Sequence, residues 1–306
     1  MARYGALRMV VAALIELAVA FLGGASVEAE VARMTPREKA AAVVVSGLPA
    51  PAGVRAVFVT RSTRHLPRPR GALVFVDQEG GAVRAFAELP PAQPASAYRT
   101  GTEARAAGRD TGRALRRAGV RVDLAPVLDT PDGPLGSRHF RDPALGVAFA
   151  RGLADAGVAA CAKHFPGLGS TAVSTDDRPR VDGVVRAREL AGFRAAVRAG
   201  VPCVMTSHAF YATLGSFRAS LEPATYRLLR STGFRGVTIT DSLNVVSSPP
   251  AYWPRRAARA GADLLLYTHP EHAARAVDAL VPLAQAGELD GAVERVLRFR
   301  RQYGAR

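Results

Sequence analysis

The residues best suited to chemistry sit where apolar runs of the chain end. Lys163 and His164 close the run 158–162 and open a Pro/Gly-rich stretch, Phe165-Pro166-Gly167-Leu168-Gly169, that leads on to Asp176 and Asp177. Other apolar runs end in Asp77-Gln78-Glu79, in Asp129, in Ser207-His208 and in Asp241. Carboxylates accept hydrogen bonds from hydroxyl groups, and Lys and His donate them, so such a set suits a polyhydroxylated ligand. Paired carboxylates also suit glycosidic bond cleavage, with one as nucleophile and a second group as acid. Each residue also has a structural use: Asp129 precedes Thr130-Pro131-Asp132-Gly133 and can cap a turn.

These residues need a frame that gathers strand ends on one face. Eight apolar runs read as strands, at 42–45, 54–60, 72–77, 122–128, 158–163, 202–208, 237–241 and 262–267. Most are continuously apolar, as expected for strands buried on both faces. Segments of helical period follow many of them, at 99–118, 142–156, 189–199, 223–231, 251–260, 272–280 and 293–303. Alternating β and α elements in this number predict a single α/β domain, a (β/α)8 TIM-type barrel, whose chemistry sits at the C-terminal strand ends. A doubly wound open sheet is the alternative, but Ser46-Gly47-Leu48-Pro49 is no phosphate-binding loop. Only a Pro/Arg-rich stretch, 61–70, joins the second and third strands, so the barrel is expected to be irregular in its first units.

The net charge is +15, and all but two of the 41 basic residues are arginine; the exceptions are Lys39 and Lys163. The arginines are scattered and accompany high Ala, Gly and Pro content, so they read as an ordinary solvated surface, and no nucleic acid partner is expected. A lysine in an arginine-writing chain fits a pocket too tight for a guanidinium. Cys161 and Cys203 each lie inside an apolar run and read as buried free thiols, without metal or disulfide spacing. Residues 1–33 form a signal-like or over-extended segment ahead of a domain at 34–306. The product is expected to be exported if 1–29 act as a signal peptide, and cytoplasmic if Met34 is the start. The apolar run is short for a span, and no stable membrane insertion is expected.

The chain resembles the catalytic barrel of family 3 glycoside hydrolases, and bacterial β-N-acetylglucosaminidases in particular. The matching pieces are Val76-Asp77-Gln78-Glu79-Gly80-Gly81, Leu124-Ala125-Pro126-Val127-Leu128-Asp129, Ser137-Arg138-His139-Phe140, Ala162-Lys163-His164-Phe165-Pro166-Gly167, Val204-Met205-Thr206-Ser207-His208, and the stretch from Gly233 to Leu243. They appear in the family's order. The resemblance implies a retaining mechanism with Asp241 as nucleophile. It implies that Asp77, Arg138, Lys163 and His164 bind substrate, that His208 lines the pocket, and that no metal or organic cofactor is needed. The expected partner is a carbohydrate, namely β-linked N-acetylglucosamine or a related β-sugar, drawn from peptidoglycan. The chain departs from the pattern in the loop after Gly167. Leu168 stands in place of a histidine, and Ser174-Thr175-Asp176 stands where the family has Asp-Ser-His, whose His is the acid/base. Ala85 occupies a position where an arginine is expected, and Ser242 one where a second Asp is common. Asp176 is the expected replacement acid, with Asp177 and His208 as alternatives. The competing reading is a catalytically impaired carbohydrate-binding barrel.

Overall fold

The computed structural model describes residues 26–245 and 251–304. Eight parallel strands form a nearly closed barrel: β1 (Val44–Ser46), β2 (Ala56–Val59), β3 (Leu73–Val76), β4 (Val122–Asp123), β5 (Ala159–Phe165), β6 (Cys203–Thr206), β7 (Val237–Thr240) and β8 (Leu265–Tyr267). Neighbours pair in chain order, β8 pairs with β1, and a parallel bridge between Ile239 and Leu264 spans the seam between β7 and β8. The expected barrel and all eight strands are present. Every residue of these strands is buried, which is why they read as unbroken apolar runs.

Nine α-helices surround the strands among the described residues: α1 (Val27–Arg33), α2 (Pro36–Ala42), α3 (Gly101–Arg117), α4 (Pro143–Asp155), α5 (Ala187–Arg198), α6 (Pro223–Ser231), α7 (Trp253–Ala260), α8 (Pro270–Gln285) and α9 (Asp290–Tyr303). The expected irregularity is real: no helix lies between β1 and β2 or between β2 and β3. Thr35 caps α2 through a reciprocal capping box with Glu38, and Thr100 caps α3 in the same way with Glu103. Of the signal-like segment, residues 1–25 lie outside the described residues. Val27 and Val31 of α1 are buried, and α1 is tied to α9 by Arg301 on Glu30. No helix among the described residues is long and apolar enough to cross a membrane.

The cysteines correct the free-thiol reading. Cys161 on β5 and Cys203 on β6 are register partners on adjacent strands, with Cα atoms 4.3 Å apart, and they form a disulfide. Their separation of 42 residues gives no sign of this, because strand pairing alone makes them neighbours.

Candidate active site

The C-terminal strand ends enclose a cavity of about 160 Å³. Asp77, Arg138, Lys163, His164, Asp176 and Asp241 all line it, with Leu168, Leu135 and Met205 among its apolar walls. Wider clefts exist, one of about 430 Å³, but that one is lined by Val201, Pro202, Gly236 and Val237, at or before strand starts. Chemistry rather than size therefore selects the site.

Its floor is a buried charge cluster. Lys163 leaves β5 with its side chain only 2% exposed, and its Nζ meets Asp77 Oδ1 at 2.5 Å and Glu79 Oε1 at 2.6 Å. Glu79, equally buried, also takes a bidentate pair from Arg138, with Nε to Oε2 and Nη2 to Oε1 both at 2.8 Å. Burial opposes ionisation of Glu79, but Lys163 and Arg138 outweigh it and lower its pKa to about 2. Burial likewise opposes the Lys163 ammonium, and Asp77 and Glu79 overcome this and hold its pKa above the ordinary value. Beneath them lies Asp123, fully buried. One carboxylate oxygen accepts from the Gln78 N–H at 3.0 Å, and the other has no partner. Burial pushes its pKa well up, against the Gln78 N–H and Lys163.

Gln78 fixes the turn that presents Glu79. Its Nε2 donates to the carbonyls of Phe86, Leu89 and Pro90, and its Oε1 accepts from the Phe86 N–H. Asp129 organises the next wall. It accepts from the backbone N–H of His164 and of Leu168, the latter at 2.7 Å, and from His164 Nδ1 at 2.7 Å. Since a carboxylate only accepts, Nδ1 carries the proton and Nε2 is left for a ligand. Asp129 is thus an organiser of the loop after β5.

Asp241 follows β7 and accepts from the Ser242 N–H at 2.7 Å. Burial raises its pKa, but His208, His164, the Ser242 N–H and Lys163 together bring it below the ordinary carboxylate value. Asp176 behaves oppositely. It sits on the turn 174–177, where Ser174 Oγ contacts its carboxylate at 3.4 Å and its own N–H at 3.3 Å. The residue as a whole is exposed, yet protein crowds its carboxyl. That burial first, and the Asp241 charge second, push its pKa up against His164 and Arg138. Asp177 does not line the cavity.

His208 stands apart from the other expected site residues. It is buried behind the turn after Asp241, with Nε2 donating to the Ser242 carbonyl at 2.8 Å and Nδ1 accepting from Ser220 Oγ at 2.7 Å. It does not line the cavity, and neither nitrogen is free for a sugar or a leaving group. Burial lowers its pKa, which suits a neutral structural imidazole. Glu79 and Asp123 are the residues whose part the sequence did not disclose. The signal for Asp123 was a carboxylate inside an apolar strand. Among the described residues, no group of three or more His, Cys, Asp or Glu is placed to hold a metal ion.

Residues 50–299 match the N-terminal domain of glycosyl hydrolase family 3. A β-hexosaminidase of Stenotrophomonas maltophilia strain K279a is 36% identical over 230 residues, covering 66% of this chain and 69% of that protein. The β-hexosaminidase LpqI of Mycobacterium tuberculosis is 34% identical over 251 residues, covering 72% and 64%. Its solved structure superposes with a TM-score of 0.79 at 28% identity, over 92% of this chain and 97% of that one. A family 3 β-N-acetylglucosaminidase from Paenibacillus sp. strain FPU-7 gives 0.75 at 28% identity, over 88% and 63%.

Proposed function

Because this chain belongs to glycosyl hydrolase family 3 and is a glycosidase, we propose that it is a retaining β-N-acetylhexosaminidase acting on β-linked N-acetylglucosamine from peptidoglycan. In this reading Asp241 attacks the anomeric carbon and forms a glycosyl ester. Asp176 protonates the departing oxygen and then activates the water that releases the sugar. Asp77 accepts from sugar hydroxyls, Arg138 and Lys163 donate to them, and His164 Nε2, bare because Nδ1 gives its proton to Asp129, accepts from one. His208 supports the turn that carries Asp241.

The observation that carries the reading is the divergence of two carboxyls in one cavity: Asp241 is favoured as the anion and Asp176 as the acid. Environments that push two carboxyl pKa values apart distinguish an acid from a nucleophile. The N-acetyl preference rests on the relatives named β-hexosaminidase and β-N-acetylglucosaminidase, and the peptidoglycan source on the family resemblance of the motifs alone.

The test uses aryl N-acetyl-β-glucosaminides with good and poor leaving groups. Asp241→Asn is expected to abolish release from all of them. Asp176→Ala is expected to spare activated aryl glycosides and to lose about 10²–10⁴-fold on unactivated disaccharides, the usual worth of general acid help. Equal loss on both substrate types would reject Asp176 as the acid. Sugar binding without release from any β-glycoside would favour the silent carbohydrate-binding barrel.

A further inference from the structure

Behind the loop from Gly167 to Gly169 lies a carboxyl group that touches neither the cavity nor any cation. Glu189, in the first turn of α5, is fully buried. One of its oxygens accepts from Thr130 Oγ1 at 3.3 Å, and the other has no hydrogen-bond partner. The loop rests directly on this carboxyl. A Cβ at Gly167 would overlap Glu189 Oε2, and one at Gly169 would overlap Glu189 Oε1 and Thr130 Oγ1. Gly167 also holds φ at +126°, a region that side chains rarely adopt. Two glycines, one on each side of Leu168, thus let the loop close onto one acid.

The same loop carries the site. Leu168 donates its N–H to Asp129, which holds His164, and the chain then runs through Ser174 to Asp176. Tyr211 Oη pins the Gly167 carbonyl at 2.6 Å from the other side. We propose that Glu189 is a positioning residue for the glycosidase reaction: it holds the Gly167–Gly169 loop, and with it the Asp129–His164 pair and the approach to Asp176, and its ionisation releases that hold. The proposal rests on the glycosidase reading above.

The charges around Glu189 decide the direction. Asp129 faces it after β4, and Tyr211 faces it from the short strand 210–211. Arg186, on its own segment, lies near enough to favour the anion, but it also reaches the Gly169 carbonyl and Asp132; Arg188 pairs with Asp132 as well. Burial first and Asp129 second raise the Glu189 pKa to about 7, against Thr130, Arg186 and the Gly169 N–H. Protonated, the carboxyl fits beneath the loop beside Asp129. Ionised, it becomes a second buried anion with an unsatisfied oxygen, which only hydration from a lifted loop can relieve.

The experiment compares wild type with Glu189→Gln, which keeps the shape and cannot ionise, and with Glu189→Ala. The first readout is kcat/KM for a 2,4-dinitrophenyl N-acetyl-β-glucosaminide, whose leaving group needs no proton, so that Asp176 does not shape the profile. Wild type is expected to lose about tenfold per pH unit above a pKa of about 7. Glu189→Gln is expected to keep its low-pH value into the alkaline range, and Glu189→Ala to fall at every pH through kcat. The second readout, urea unfolding against pH, needs no activity and so separates failure of this idea from failure of the glycosidase reading. A raised acid pKa gives stability that is complete below 4.5 and is lost as pH rises to about 7. That share of the decline is expected in wild type and missing in Glu189→Gln, so that the two curves separate between pH 4.5 and about 7, while Asp123 and Asp176 weaken both proteins alike. Superimposable wild-type and Glu189→Gln curves in either readout, or an unchanged Glu189→Ala, would overturn the proposal.

Discussion

Glu79→Gln is the sharpest perturbation of the binding floor. Glu79 is a single carboxylate serving two cations, with three contacts of 2.6–2.8 Å and only 2% exposure. Its pKa falls from 4.5 to about 2 on folding, which corresponds to about 3 kcal/mol. The sign follows from the depressed pKa: this stability is present above pH 4.5 and is lost as pH falls through about 2. Removing one member of a buried ionic set costs about 3–5 kcal/mol, because the remaining charges stay buried and unpaired. The two figures agree, so the glutamine variant is expected to lose about 3–5 kcal/mol at neutral pH. Its amide would also aim a donor at Lys163 or Arg138. With those donors displaced, KM for an aryl N-acetyl-β-glucosaminide should rise at least about tenfold, one hydrogen bond to a charged group being worth about 1.5–3 kcal/mol. Urea unfolding followed by the fluorescence of the single tryptophan, Trp253, measures the first quantity, and initial rates measure the second. A loss below about 1 kcal/mol with unchanged KM would refute the reasoning and leave Asp77 and packing as the true anchors of Lys163.

Two further outcomes follow from the loops that flank the cavity. His208→Gln should lower kcat while leaving KM nearly unchanged, because His208 steadies the Ser242 carbonyl beside Asp241 and touches no sugar; steady-state kinetics on one aryl glycoside read this, and a rise in KM alone would return His208 to the pocket wall. Gly169→Ala should destabilise the fold by about 1–3 kcal/mol through overlap with Glu189 and Thr130, and pairing it with Glu189→Ala should recover part of that loss in thermal unfolding.

The sequence disclosed most of the frame, because strands buried on both faces leave an unmistakable apolar signature. It disclosed the polar strand ends too, since Lys163, Asp77 and Asp241 break otherwise apolar runs. What it concealed depends on cross-strand distance. Cys161 and Cys203 meet only because β5 and β6 pair in one register. Glu79 sits before Gly80-Gly81, and its part in the floor shows only where Arg138, 59 positions later, closes on it. His208 looked like a ligand for sugar because it ends a strand, yet Ser220 and Ser242 occupy both of its nitrogens. Glu189 carried no signal at all: a glutamate in a first helical turn is ordinarily solvated and helix-stabilising, and only the two glycines packed against it show otherwise.

A carboxylic acid at Asp176, as the proposed acid, has a consequence for both halves of the proposed cycle. A carboxylic acid is neutral when it holds its proton, so the adjacent Asp241 anion helps it keep that proton. Formation of the glycosyl ester converts Asp241 into an uncharged group. The Asp241 contribution that raises the Asp176 pKa then disappears, while His164 and Arg138 continue to lower it. Asp176 is therefore an acid before the bond breaks and a stronger candidate for the anion once the ester stands, which is when a base is needed to activate water. No movement of the turn 174–177 is required for this change of role, since the nucleophile's own charge supplies it. A mechanism-based 2-fluoro glycosyl ester at Asp241 should accordingly shift the Asp176 titration, read by carboxyl-region infrared difference spectra, to lower pH. An Asp176 titration unmoved by esterification would show that the two carboxyls do not sense one another, and the division of labour between them would fall.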